Sequence, residues 1–383
     1  MKKTIFCAGI AAVFLSACGG GGGGAATTAT SGNGSTGNND GSNTNTGTGT
    51  STGATTPAAI SLLTPAGASA ASLTTTGDVV NDSFAYANAM RAQLGLPALK
   101  YVSAVGVAAL NHAKNMQDTG IVGHYEVAGQ PDYTGVTPSD RVAAAGYNTN
   151  STGEIAAGFP GTATGFASST QAIDGLFDAP FHRSIYLFDT TGVGMGDVTT
   201  TDPLKYSTFV ADFVDYVAST PDNKLVAYPY DGQTNVKPQW QAIETPNPIA
   251  KNHPELAGKY VGYPITLSAA GNGAFSNVVF TITDAAGNNV PCDETDNSNS
   301  DESTRLAVCV SPTVLADNTT YKVAVTGSLT NTSIMTATPF SVSWSFTTGA
   351  NGTSSNTSPT PVAASSAKSL RAPGGPSLPP VFN

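Results

Sequence analysis

The chain runs to 383 residues, of which only 11% are charged, with a net charge of −10 and no basic cluster. That balance argues against nucleic acid and anionic lipid headgroups as partners. The length exceeds one average domain, so more than one folded unit is expected.

At the amino terminus Lys2 and Lys3 precede an apolar run over residues 5–15, too short to span a bilayer as a helix. The run closes on Leu15-Ser16-Ala17-Cys18, which resembles the lipobox of bacterial lipoproteins. That resemblance implies a signal peptide over residues 1–17, cut before Cys18, whose thiol then carries the lipid. Gly19 rather than aspartate follows, which by the same resemblance implies the outer membrane. The expected partner is the membrane, reached through a lipid anchor rather than a spanning helix. Residues 18–78 are rich in Gly, Ser, Thr and Asn and are expected to form a flexible tether, with a reach of roughly 40 Å. Residues 351–383 have a similar composition plus proline and are expected to be disordered. Once Cys7 is removed and Cys18 lipidated, Cys292 and Cys309 remain, and an oxidising compartment pairs them in a disulfide.

The first periodic segment starts near Asn81, with Asp82 or Ser83 as cap and Phe84, Ala87, Met90 and Leu94 at helical spacing, and stops at Gly95. A second helix follows Ser103, with Val105, Ala108, Ala109, His112 and Met116 on one face, and ends at Gly120. Thr137-Pro138-Ser139-Asp140 is a helix start of the capping-box kind, for a helix reaching Ala145. A fourth helix begins near Ser168 or Ser169 and stops before Pro180. Strands are expected over 192–198 and 206–217. Helices first and strands later give an α+β class.

This series resembles a CAP domain, the fold of cysteine-rich secretory, antigen 5 and pathogenesis-related proteins. The pieces that carry the likeness are Asn88 and Arg91 leading into Gly95-Leu96-Pro97-Ala98-Leu99, then His112-Ala113, Gly123-His124, Arg141 with Gly146-Tyr147, Gly153-Glu154-Ile155, Ala179-Pro180-Phe181-His182-Arg183 and Gly192-Val193-Gly194. The resemblance implies an α-β-α sandwich over residues 79–220. It also implies a cavity of two histidines and two acids, which in some members holds a divalent cation. His124 matches the first histidine and Glu154 the glutamate of the family's Gly-Glu-Asn motif, with Ile155 in place of the asparagine. Ala179 and Lys205 stand where the family has its second acid and second histidine.

His124, Glu154 and His182 then make the candidate cleft, two imidazoles and one carboxylate. Such a set suits a weakly bound divalent cation such as zinc, and no other cofactor is expected. His112 reads as a core histidine with a satisfied ring, and Arg141 and Arg183 as structural forks on carbonyls or acids. No His-Glu-x-x-His and no Gly-x-Ser-x-Gly occurs.

Past Pro221 the pattern changes to turns and short alternating strands. Phe340, Val342, Trp344 and Phe346 alternate with Ser341, Ser343, Ser345 and Thr347. Residues 221–350 are expected to form an all-β sandwich, and Trp344-Ser345-Phe346-Thr347-Thr348-Gly349 resembles bacterial Ig-like modules. The polar, proline-rich boundary predicts that the two domains fold independently. The function favoured is non-catalytic binding at the cell envelope, of a groove ligand such as a lipid or peptide or of an envelope or host surface. A metal-assisted hydrolase and a structural envelope protein are the alternatives.

Overall fold

The computed structural model describes residues 59–298, 304–350 and 381–382. The expected signal peptide, Cys18 and most of the expected tether and tail lie outside these residues. All described residues fall within one compact unit, Thr56–Asn383. Among them no helix is long and apolar enough to cross a membrane.

The chain opens with β1 (Ser61–Leu62), then α1 (Val79–Gln93), β2 (Lys100–Tyr101), α2 (Ser103–Thr119), α3 (Pro138–Ala144) and β3 (Thr152–Pro160). Next come α4 (Gln171–Asp178), α5 (Pro180–Tyr186), β4 (Thr190–Val198) and β5 (Tyr206–Tyr216). The β-rich part follows as β6 (Lys224–Tyr228), β7 (Gln233–Val236), β8 (Gln239–Gln241), β9 (Tyr260–Gly262) and β10 (Ile265–Ala269). It continues through β11 (Ala274–Thr283), β12 (Asp293–Thr295), β13 (Leu306–Val310), β14 (Thr320–Thr330) and β15 (Thr338–Thr348), and the last strand is β16 (Val381–Phe382).

The first sheet has the order β16-β3-β5-β4-β2. Strand β3 pairs antiparallel with β5, setting Glu154 directly opposite Asp212. One face takes α2 and α3: Ala156 and Val210 pack on Ala109, Ala113 and Met116, while Val214 packs with Val105, Ala108 and Val142. The other face, through Ile155, Ala157, Phe209, Ala211 and Phe213, meets Met90 of α1, Leu176 and Phe177 of α4 and Tyr186 of α5. This is a three-layer α-β-α arrangement. The Gly192-Val193-Gly194 stretch lets α2 approach closely, since a Cβ on Gly194 would lie 2.1 Å from the Gly106 nitrogen.

Helix ends follow their local chemistry. Thr137 and Asp140 close a reciprocal capping box on α3, and Gly120 ends α2 at φ 70°, the left-handed stop that glycine adopts readily. For α1 the cap is Asp78, whose carboxylate accepts from the Asn81 nitrogen at 2.8 Å. Asp82, expected there, is buried and accepts instead from the backbone of Thr76 and Gly77.

Part of the stretch over residues 59–78, expected to be tether, packs on the fold. Ile60 and Leu73 are buried, and β1 pairs parallel with β6. A few apolar residues in a Ser/Thr/Ala-rich context suffice once a sheet edge is available. The end of the tail, expected to be disordered, carries β16, which pairs with β3.

The β-rich part forms two main sheets, β1-β6-β10-β13-β12 and β11-β14-β15-β7. The alternation read in residues 340–346 is realised, with Phe340, Val342, Trp344 and Phe346 buried. Cys292 and Cys309 are bonded, with Cα atoms 5.4 Å apart, tying the segment before β12 to β13. Closing so short a loop stabilises the fold by about 3 kcal/mol.

Independent folding of the two parts is not what the packing supports. A single apolar cluster runs from Met90 and Phe177 through Tyr228 and Tyr263 to Trp344. Polar ties cross the same junction: Lys237 reaches Asp174 at 2.9 Å and Asp178 at 2.5 Å, and the Tyr263 hydroxyl donates to Asp178 at 2.8 Å. The polar turns around Pro221 mark a change of strand pattern and not a break in the core.

Candidate functional site

Strand β3 delivers Glu154 onto the α2 side of the sheet, where its side chain is buried. One carboxylate oxygen, Oε1, lies 2.8 Å from Nδ1 of His124 and 3.7 Å from Nε2 of His112. The other, Oε2, accepts from Nη2 of Arg141 at 2.5 Å. Arg141 comes from α3, which the capping box fixes, and its Nη1 also donates to the His124 carbonyl at 3.1 Å. The guanidinium therefore holds both the carboxylate and the backbone of the residue bonded to it.

His112, on the inner face of α2, is satisfied as expected of a core histidine. Its Nδ1 is 2.9 Å from Glu126 Oε1 and its Nε2 is 2.6 Å from the Gly123 carbonyl. Glu126, which no motif singles out, uses its second oxygen to accept from the Thr134 and Gly135 nitrogens at 2.6 and 3.3 Å. This closes the loop over residues 121–136 onto the domain.

Two carboxyls face each other across the β3–β5 pair, and their environments pull them apart. Burial alone would raise Glu154, but the hydrogen bond from His124 and the charges of His112 and Arg141 hold it below the usual carboxylate range. Asp212 lacks that compensation: burial first, and the charge of Glu154 next, push its carboxyl well above the usual range. No other donor among the described residues reaches an Asp212 oxygen, and its carboxyl lies within hydrogen-bond reach of Glu154. Asp212 thus stays protonated past the pH at which an exposed aspartate ionises.

His124 is the exposed member of this network, with 34% of its side chain accessible. Its loop also exposes Ile121, Tyr125, Val127, Tyr133 and Val136. His182 is not part of the set. It belongs to α5, on the opposite face of the sheet, and its Nδ1 lies 2.7 Å from Glu244 Oε1. The same Glu244 oxygen accepts from the backbone nitrogens of Phe181 and His182 at 2.8 and 3.0 Å. The side-chain parity of β3 explains the separation: Glu154 faces α2, whereas Ile155 faces the layer containing α5. Ala179 is buried in that second layer, and Lys205 is exposed just ahead of β5.

The residues present do not fit a metal. Both oxygens of Glu154, both ring nitrogens of His112 and both oxygens of Glu126 already have protein partners. Among the described residues no group of three or more His, Cys, Asp or Glu side chains is arranged to hold an ion. His182, held by Glu244 on the opposite face of the sheet, does not join His124 and Glu154 in one ligand set. What remains is a buried carboxylate that fixes the orientation of one accessible imidazole.

Residues 84–213, which carry this three-layer fold and the His124–Glu154 network, match the model of CAP, the cysteine-rich secretory protein family. Among solved structures, the chain is similar to an extracellular protein containing an SCP domain from Bacillus anthracis str. Ames, at 22% identity and a TM-score of 0.29. That match covers 36% of this chain and 40% of the other, so this chain spans less than half of its relative's length. It is also similar to CopC from Methylosinus trichosporium OB3b, at 15% identity and a TM-score of 0.22, covering 33% of this chain and 91% of that one. No curated protein matches.

Proposed function

We propose that this is a cell-envelope lipoprotein whose CAP domain works as a non-catalytic binding module for an apolar ligand, a lipid or a peptide. The observation that carries the reading is the loop over residues 121–136. It sets His124 among the exposed side chains of Ile121, Tyr125, Val127, Tyr133 and Val136, while Glu126 and Arg141 pin it to the domain. Exposed apolar side chains on a pre-organised loop favour association over burial elsewhere. Metal-assisted hydrolysis would need open ligand positions, and Glu154 has none to spare. The two-sheet region, which we read as Ig-like, supports the CAP domain from one side. Anchoring at the membrane rests on the residues around Cys18.

Two measurements test this reading. The uncharged dye Nile red should bind the lipid-free chain saturably and be displaced by a neutral lipid or an amidated apolar peptide. Combining Tyr125→Ser with Val127→Ser should weaken binding by about thirtyfold, since each truncation removes on the order of 1 kcal/mol of apolar contact. Equal binding by wild type and variant would remove the loop from the proposal. For the anchor, Cys18→Ala should move the protein from the detergent-rich to the aqueous phase on Triton partitioning. Retention of the variant in the detergent phase would contradict lipidation at Cys18.

A further inference from the structure

Strand β16 returns to the CAP sheet from beyond the β-rich part, and it does so beside the His124 loop. Val381 lies opposite Gly158 and Phe382 opposite Ala157 of β3, in antiparallel register. The strand therefore runs along β3 in the direction of Glu154, whose carboxylate holds His124.

Three observations bear on this contact. The first is the direction of the backbone groups. The Gly161 nitrogen donates to the Lys205 carbonyl at 3.0 Å, continuing the β3–β5 register past Pro160. Backbone groups alternate sides along an antiparallel strand, so those of Gly158 turn away from β5 and toward Val381. The second is the shape of the edge. A Cβ on Gly158 would lie 2.6 Å from Val122 Cγ2 and 3.1 Å from the Tyr206 ring. Glycine there lets Val122, from the 121–136 loop, and Tyr206, from β5, close over the edge from either side. The third is the slightness of the occupant. On its other edge β3 pairs with β5 along all nine of its residues, whereas β16 supplies two. Pro379 and Pro380 come just before Val381 in sequence and have no N–H to give a ladder. Closing the connection over residues 351–380 also opposes the contact entropically.

A strand edge that already accepts an extended segment, held by so few bonds, suits exchange of one segment for another. We propose that this edge of β3 is a peptide-binding groove that works by strand addition, with Val381–Phe382 as its displaceable occupant in cis. The inference rests on the binding reading of the 121–136 loop, to which Val122 belongs, and narrows the ligand there to an extended peptide with an apolar pair. A lipid tail has no N–H to offer the Gly158 carbonyl.

The test uses the full lipid-free chain and amide hydrogen exchange. Val381→Pro removes the N–H that faces Gly158, so the Gly158 amide should exchange about tenfold faster than in wild type while the β4 and β5 amides keep their rates. An acetylated, amidated peptide with the sequence of residues 378–383 should bind Val381→Pro saturably and restore the protection of Gly158. Wild type should bind it about tenfold more weakly, because the tethered occupant competes at high effective concentration. The Tyr125→Ser, Val127→Ser variant should lose Nile red binding yet keep Gly158 protected, so the loop and the edge are read by separate probes. Equal exchange at Gly158 in wild type and Val381→Pro would overturn the proposal. So would absence of peptide binding to folded Val381→Pro, or equal affinity of the peptide for both proteins. Protection of Gly158 that falls on dilution of wild type would assign the occupant to a second copy and overturn the assignment in cis.

Discussion

Arg183→Met is expected to cost on the order of 4 kcal/mol, the largest effect of any single substitution at the junction. Arg183 is buried there, and its Nε donates to the Phe177 carbonyl at 2.8 Å while Nη2 reaches the Asp178 carbonyl at 3.0 Å. From the same fork Nη1 donates to the Pro264 carbonyl at 2.9 Å and the Thr266 hydroxyl at 3.2 Å, across in the β-rich part. The guanidinium also sits over the Tyr228 and Tyr263 rings, 4.6 and 5.2 Å from their centroids. Methionine keeps the volume but leaves those carbonyls buried and unpaired. The consequence reaches beyond one residue, because these hydrogen bonds join the two parts. Both tryptophans, Trp240 and Trp344, lie in the β-rich part, whereas the helices lie in the CAP domain. In wild type, tryptophan fluorescence and helical ellipticity should therefore lose their signals together in denaturant. Two separated transitions in wild type would mean that the parts fold independently after all.

Glu154→Gln should be of similar size, about 3 kcal/mol, because it removes the carboxylate closest to the buried Arg141 and leaves only Glu126, 3.8 Å from its Nε. The pH dependence gives a sharper signature than the magnitude. Glu154 is held below its unfolded value, so its contribution is complete above about pH 4.3 and is lost as pH falls through the depressed folded value. Asp212 acts in the opposite sense. Its folded carboxyl is raised, so stability declines as pH climbs above about 3.9 toward that raised value. Denaturation of wild type across the acid range should show both slopes, and Glu154→Gln should lose the acid-side one. A variant whose stability falls in acid as steeply as the wild type would place the titrating group elsewhere.

Much of this architecture is legible in the sequence. The Thr137-Pro138-Ser139-Asp140 start, the Gly120 stop and the alternation over residues 340–346 each state a local rule that tertiary packing then respects. Strand β3, which carries Glu154, is not legible in this way. Residues 155–159 are buried on both faces of a covered sheet, so no polar alternation marks them. The same covered sheet explains the misplaced histidine. Motif positions bring His124 and Glu154 together, but His182 follows a helix on the other layer, and linear order does not reveal layer. Glu126 and Asp212 carry no motif at all. Glu126 is recognisable only once its loop closes on His112, and Asp212 only once strand register sets it opposite Glu154.

The Glu154 carboxylate and the His112 ring are fully engaged by protein partners, which leaves His124 as the accessible imidazole of the network. Calorimetric titration of zinc into wild type and His124→Ala, with fluorescent casein hydrolysis followed on the same samples, tests this most directly. Wild type should bind zinc no more tightly than about millimolar, as a lone surface imidazole would, and show no turnover. A submicromolar one-to-one site, lost together with casein hydrolysis in His124→Ala, would contradict the account.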